Sequence, residues 1–296
     1  MPKVNNEYPG QTPPTDAEIK ARAIKDYNAP TVSTENTKSK EKSKFPTEII
    51  DLPSKGLLYP KDNPLSQGQI EMKYMTAKEE DILTSQSYIK NGTVLDKLFR
   101  ALIIGNGNEE RINYNDLIMG DKNAIMVAAR VLGYGKEYEV TITTPSGNKL
   151  IEQVDLTTFM DKEFDESLIT PNCNEFEFEL PTSKRLLKFK ILCTKDQQNI
   201  EAELKGLKKV NRGGLDSTLT TRLMHSIIAI DGDDNRATIR NFVNLEFLAR
   251  DSRAFREHLI KIQPDVDLKV KCWDDETNEP FEVDLPINVN FFWPGV

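Results

Sequence analysis

The order of apolar and polar patterning along this chain comes round twice, and that recurrence constrains the fold more than any single motif. After a loop punctuated by Pro and Gly, SKGLLYPKDNPLSQG, residues Gln69 to Met75 alternate as a strand does. Thr76 then opens a helix, AKEEDIL, whose early Glu79, Glu80 and Asp81 suit the positive end of the helix dipole. Amphipathic runs follow at Val94 to Ile104 and at Asn115 to Leu132. A hairpin closes the series, with strands at Tyr138 to Thr143 and Leu150 to Leu156 around the turn Pro145-Ser146-Gly147-Asn148. From Glu175 the order returns. Paired strands are predicted at Glu175 to Leu180 and Leu186 to Leu192, and Thr194 opens a helix much as Thr76 does. Helices follow at Leu219 to Ile230, Ala237 to Leu248 and Ser252 to Ile262, then a hairpin from Val266 through DDETNEP to Leu285.

Corresponding points keep nearly constant spacing: Thr76 to Thr194 is 118 residues, Leu98 to Leu223 is 125, Asp121 to Asp251 is 130, and Val154 to Val283 is 129. The drift is of loop size, as a duplicated unit would give; the competing reading is that any mixed chain aligns with itself at this laxity. The expected fold class is therefore α+β, with two loosely duplicated halves at residues 45–165 and 166–296. Each holds short strands plus about three helices closed by a β-hairpin. Residues 1–44 are rich in Pro, Asn, Thr, Lys and Glu, and only Asp16 to Tyr27 can form a helix. They are predicted to be a disordered N-terminal arm, or an arm that orders only on a neighbouring subunit.

Charge narrows the partners. With 47 acidic against 39 basic side chains and a net charge of -8, the chain is poorly suited to grip a phosphate backbone, so no nucleic acid partner is expected. No stretch approaches the roughly 18 continuous apolar residues of a membrane span, and the opening MPKVNNEYPGQTPP lacks the apolar core of a signal peptide. Folding in a cytoplasm is expected, with Cys173, Cys193 and Cys272 as reduced thiols because they are odd in number and widely separated.

Catalytic chemistry is hard to place. The two imidazoles, His225 and His258, sit in helical runs where a packed histidine is the ordinary reading. Asp231, Asp233 and Asn235 have the alternating spacing of a calcium loop, but Arg236 stands where its glycine belongs and Phe242 where its glutamate belongs. Gly105-Asn106-Gly107 and Gly133-Tyr134-Gly135 match no phosphate-loop pattern and read as helix-ending turns. No metal, no cofactor and no catalytic residue is therefore assigned, and the chain is read as not an enzyme.

Weight shifts to surfaces. Lys205, Lys208, Lys209 and Arg212 gather near a helix end, where they complement the dipole or face an anionic partner. Phe291, Phe292 and Trp293 form an aromatic C-terminal tail that either staples onto the protein's own core or anchors a partner. Leu57, Leu58 and Tyr59, in the loop from Pro53 to Gly68, complete the candidate contact residues.

Several strings resemble the T4-type bacteriophage baseplate protein family: LPSKGLLYP from Leu52, followed by MTAKEEDIL from Met75; GDKNAIMVAARVLGYG from Gly120; ARDSRAFREHLIKIQPDVD from Ala249; and NFFWP from Asn290. The resemblance spans about residue 45 to the end. It implies a place in the central hub of a contractile tail baseplate, or in the pathway that assembles it, in a T4-like phage including marine relatives. The partners implied are other baseplate hub or tail proteins, and the location is the virion after synthesis in the host cytoplasm. A chaperone absent from the mature virion would stay in the host cytoplasm. The family's hairpins often carry Cys-x-x-Cys pairs resembling zinc ribbons. Here the first hairpin turn, Thr144-Pro145-Ser146-Gly147, has none and the second keeps only Cys272, so both hairpins are expected to hold by packing.

Overall fold

The computed structural model describes residues 46–108, 110–210, 216–285 and 289–292, so the arm at 1–44 lies outside them. The described residues are α+β, with eight helices and ten short strands. Strand β1 (Thr47–Asp51) pairs antiparallel with β2 (Gln69–Lys73), and β2 pairs with a three-residue β3 (Ile103–Gly105). Between β2 and β3 run α1 (Ala77–Thr84), α2 (Gln86–Asn91) and α3 (Val94–Leu102). A longer helix, α4 (Met119–Tyr134), leads into the hairpin of β4 (Glu137–Thr143) and β5 (Lys149–Asp155).

The second half repeats this plan. β6 (Phe176–Glu179), β7 (Leu186–Phe189) and β8 (Ile227–Ile230) form a sheet of the same order, with α5 (Thr194–Val210) and α6 (Thr218–Ser226) between β7 and β8. α7 (Arg236–Asn241) runs into a π-helical turn, Phe242–Glu246, before α8 (Ala249–Ile262) and the hairpin of β9 (Lys269–Asp274) and β10 (Glu279–Asp284). In both sheets the middle strand breaks register against the third strand, between Glu71 and Met72 and between Lys188 and Phe189. An irregularity repeated at the same rung is more specific than the order of strands, because bulges are placed features of a sheet.

Two expected helices end sooner than the patterning indicates. The run Val94 to Ile104 is helical only to Leu102, and Leu219 to Ile230 only to Ser226; the isoleucines that follow are strands. At both ends the chain passes straight from helix to extended backbone, at Ile103 (φ -73, ψ 123) and Ile227 (φ -76, ψ 128), with no glycine between. A continuous apolar run cannot tell a buried helix from a buried strand, and the β-branched pairs Ile103-Ile104 and Ile227-Ile228 favour the strand once β2 and β7 offer an edge.

Helix starts correct the internal alignment by one residue. The Glu79 carboxylate reaches back to the Thr76 N–H (3.0 Å) and hydroxyl (2.6 Å), and Lys73 pairs with it at 2.8 Å. In the second half Asp196 accepts from the Cys193 N–H at 3.2 Å and pairs with Lys190 at 2.8 Å. Cys193, not Thr194, therefore corresponds to Thr76. The same shift puts Leu223 opposite Phe99 rather than Leu98, since Ile103 and Ile227 hold the same sheet position. Thr194 is instead buried, its N–H and hydroxyl both donating to the Leu117 carbonyl across the two halves.

One apolar core runs through both halves, from Leu98, Phe99 and Leu102 to Phe189, Ile227 and Phe255. Fully burying each such side chain stabilises the fold by about 1.5–3 kcal/mol relative to exposure. The halves meet closely where α4 begins: a Cβ on Gly120 would lie 1.8 Å from the Pro264 carbonyl oxygen, so only glycine fits. No helix of the described residues is long and apolar enough to cross a membrane.

Candidate functional site

The loop from Pro53 to Gly68 is held from inside. Lys55 and Gly56 both take positive φ, 51 and 78, and a Cβ on Gly56 would meet the Ser66 carbonyl oxygen at 2.3 Å. This turn presents Ser54 to Asp121 in the first turn of α4: the Ser54 N–H (2.9 Å) and hydroxyl (2.7 Å) and the Tyr59 hydroxyl (2.5 Å) all donate to its carboxylate. Tyr59 in turn accepts from the Ile118 N–H at 3.1 Å. Leu58 and Tyr59 are 1% and 2% exposed, which corrects their expected role as contact residues: they belong to the core and to this latch. Leu57 is half-buried, and its carbonyl accepts from the Asn172 N–H at 2.7 Å.

Burial pushes the Asp121 carboxyl up to about 6 against the pull of its hydrogen bonds from Tyr59 and Ser54, with the nearby Asp161 charge adding to the rise. Its counterpart Asp251, in the first turn of α8, accepts from the Thr182 (2.8 Å) and Ser183 (2.9 Å) N–H groups. Burial raises its pKa too, but hydrogen bonding from Ser183 and Thr182, side chain and backbone together, outweighs burial and holds it below the usual carboxylate range.

The basic cluster is exposed at Lys205, Lys208 and Lys209, at the C-terminal end of α5, while Arg212 lies outside the described residues. Lys205 donates from Nζ to the Asn91 carbonyl at 3.2 Å, at the end of α2, and so complements a second helix terminus. It shares an open cleft of about 550 Å3 with Lys97, Arg100, Asp96 and Glu201. The charges there are mixed. Lys208 and Lys209 are not among the residues lining that cleft.

The aromatic tail splits differently. Phe291 and Phe292 are fully buried, with Phe292 6.2 Å from Phe99 and Phe291 4.9 Å from Tyr138 between ring centroids. Buried Arg130 donates from Nε to the Phe291 carbonyl at 3.0 Å and from its other nitrogens to Gly135 and Glu137. Burial lowers the Arg130 pKa, and the three carbonyls partly replace its lost hydration. The staple reading describes these two phenylalanines, which are not available to a partner. Trp293 lies outside the described residues.

Groups that might do chemistry are engaged in holding the fold. His225 sits 3.0 Å from a Glu203 carboxylate oxygen, and His258 stacks on Phe178 at 4.6 Å, where burial lowers its pKa. Asp231 accepts from Arg185 and the Leu186 N–H, Asp233 from the Asn235 N–H and the Thr238 hydroxyl, and Asn235 caps α7. At the hairpin tips Asp274 accepts from the Ser146 N–H (3.1 Å) and hydroxyl (3.0 Å), and Asn148 donates to Glu276 at 2.8 Å. These polar bonds join the two tips, which patterning alone leaves to apolar packing. Among the described residues no three His, Cys, Asp or Glu side chains are grouped so as to hold a metal ion.

One feature escapes the motif reading. Between α6 and α8 lies a half-enclosed cavity of about 160 Å3, with Leu219, Leu223 and Leu259 on its walls and Arg222 and Arg256 beside them. The only signal in the sequence is a contrast: the α8 positions Arg256 and Leu259 match Met126 and Ala129 of α4 at the spacing of Asp121 to Asp251. Comparison with protein-family models, with curated proteins and with solved structures returns no match for this chain.

Proposed function

We propose that this chain is a non-enzymatic structural or assembly protein of a phage contractile-tail baseplate hub, acting through contacts with other hub or tail proteins in the virion. One observation carries the reading. Residues of the strings that resemble the baseplate family make the hydrogen bonds that fix each half's own framework: Ser54 and Tyr59 on Asp121, Thr76 on Glu79, and Asp251 on the turn at Thr182 and Ser183. Arg130 joins the halves through the Phe291 carbonyl. Bonds of this kind fix an architecture, and an architecture supplies rigid surfaces more directly than it supplies a reaction. The engagement of both histidines and of the acidic loop in structural contacts supports the non-enzymatic part.

The second reading is an assembly chaperone that leaves before the virion matures. The open groove between α6 and α8 favours it, since a holding protein needs an apolar surface that is vacant between clients. Quantitative mass spectrometry of purified virions, beside lysate and baseplate intermediates, tests both. A small fixed copy number in virions is expected for a hub subunit; abundance in intermediates with none in virions identifies the chaperone. Absence from both sinks the baseplate reading.

A further inference from the structure

The two halves differ in what fills the space between their corresponding helices. In the first half, Phe291 and Phe292 arrive from the far end of the chain and pack against Phe99 of α3 and Tyr138, with Arg130 of α4 holding the Phe291 carbonyl. By the register of the two sheets Leu223 of α6 stands where Phe99 stands, and by the Asp121 and Asp251 latches Leu259 stands where Ala129 does. There the second half has a cavity of about 160 Å3, bounded by Leu192, Leu219, Leu223 and Leu259. An apolar cavity of roughly 150 Å3 is enough to hold a benzene ring. Leu219, at its mouth, is 45% exposed.

Charge at this groove is one-sided. Arg222 donates from Nη1 to Gln197 at 2.9 Å and Arg256 from Nε to the Ser252 carbonyl at 3.3 Å, and among the described residues neither guanidinium has a carboxylate partner. The third cation, Lys190, is already paired with Asp196. A guanidinium is weakly hydrated and binds carboxylates in a fixed fork, so two of them beside an apolar wall select an acidic neighbour for whatever enters.

We propose that the groove between α6 and α8 is a docking site for an aromatic side chain on an acidic segment of another protein, taken up much as the first half takes up Phe291 and Phe292 from the second. The proposal deepens the baseplate reading by naming the partner's chemistry, and rests on that reading only for the partner's identity. An aromatic in the cavity removes Leu219, Leu223 and Leu259 from water, and aspartates or glutamates beside it meet Arg222 and Arg256.

The full chain is titrated by fluorescence anisotropy with a short labelled peptide in which Phe-Phe is flanked by aspartates, beside an Ala-Ala counterpart and a lysine-flanked one. Saturable binding of the first is expected, weaker by roughly tenfold or more for each counterpart. Leu259→Glu should abolish it. Arg222→Gln with Arg256→Gln, on side chains that reach solvent, should keep the fold while weakening binding and flattening its salt dependence. Equal binding of all three peptides, no saturable binding, or binding indifferent to both variants overturns the proposal. So does a dimer that Leu259→Glu turns into a monomer, because the occupant is then a second copy. A chain absent from baseplates that binds the peptide would sink the functional reading and leave the groove standing; a chain built into baseplates that binds no such peptide would do the reverse.

Discussion

Asp121 and Asp251 stand at the third residue of equivalent helices and latch equivalent turns, yet their carboxyls are pushed in opposite directions. Burial raises both; on Asp121, with the Asp161 charge beside it, burial prevails, whereas on Asp251 the hydrogen bonds from Ser183 and Thr182 prevail, and the donors themselves differ in kind. Two of the three groups on Asp121 are hydroxyls, from Ser54 and Tyr59, whereas Asp251 accepts from two successive backbone N–H groups, at Thr182 and Ser183. A hydroxyl can reverse and accept; an amide N–H cannot. The first latch therefore tolerates a neutral side chain and the second requires a charge or its isostere with two acceptors. The halves differ again at their grooves, one closed by Phe292 and the other open. Duplication has kept the framework and let its fillings diverge.

The largest expected effect breaks the contrast between filled and open grooves. Phe292→Ala should cost about 3–5 kcal/mol in urea unfolding, because it empties a fully buried site, while Leu259→Ala, beside a cavity already open, should cost much less. Similar losses for both would mean that the second groove is as tightly packed as the first.

The next effect sharpens the contrast between the latches. Asp121 titrates near 6 when folded against 3.8 as its ordinary value, so the folded chain binds a proton that the unfolded chain releases between those values. Stability should then fall as pH rises from about 4 to about 6, by about 3 kcal/mol, and stay level above. Asp251 acts in the other sense: its contribution is present above the ordinary carboxylate range and is lost as pH falls below it. Asp121→Asn should remove the fall between pH 4 and 6 and match or exceed the parent at pH 7. Asp251→Asn turns an amide N–H toward a backbone N–H and should cost about 2 kcal/mol at pH 7. Equal costs for the two asparagine variants at pH 7 would contradict the donor argument.

The smallest effect concerns the hairpins. Ser146→Ala removes the hydroxyl bond to Asp274 but leaves the Ser146 N–H in place, so a loss of about 1 kcal/mol is expected in the same unfolding assay. No loss would return the hairpin tips to packing alone.

Much of the fold is legible in particular residues. Glu79 and Asp196 sit three residues after Thr76 and Cys193, the spacing at which a side chain reaches back to a cap, and the hairpin strands alternate as buried and exposed faces require. The offsets at Asp121 and Val154 hold in the structure. Those at Thr76 and Leu98 are one residue out, because Thr194 looks like a cap and is not one. The candidate site was less legible. Leu58 and Tyr59 lie in a loop rich in turn residues, which points outward until Asp121, many residues later, draws Tyr59 in. Arg222 and Arg256 carry no motif at all.

What the sequence by itself determined is whatever depends on neighbours within a turn or a hairpin: the helix start at Thr76, the two hairpins, the recurrence of one unit. These are fixed by side-chain periodicity and by caps a few residues apart, and they survive any change in the surroundings. The tertiary structure alone decided where Ile103 and Ile227 leave the helix, which of the loop's apolar residues are buried, and which groove receives Phe292. Each of those outcomes compares burial and hydrogen bonding against a segment distant in the chain, and no local pattern carries that comparison.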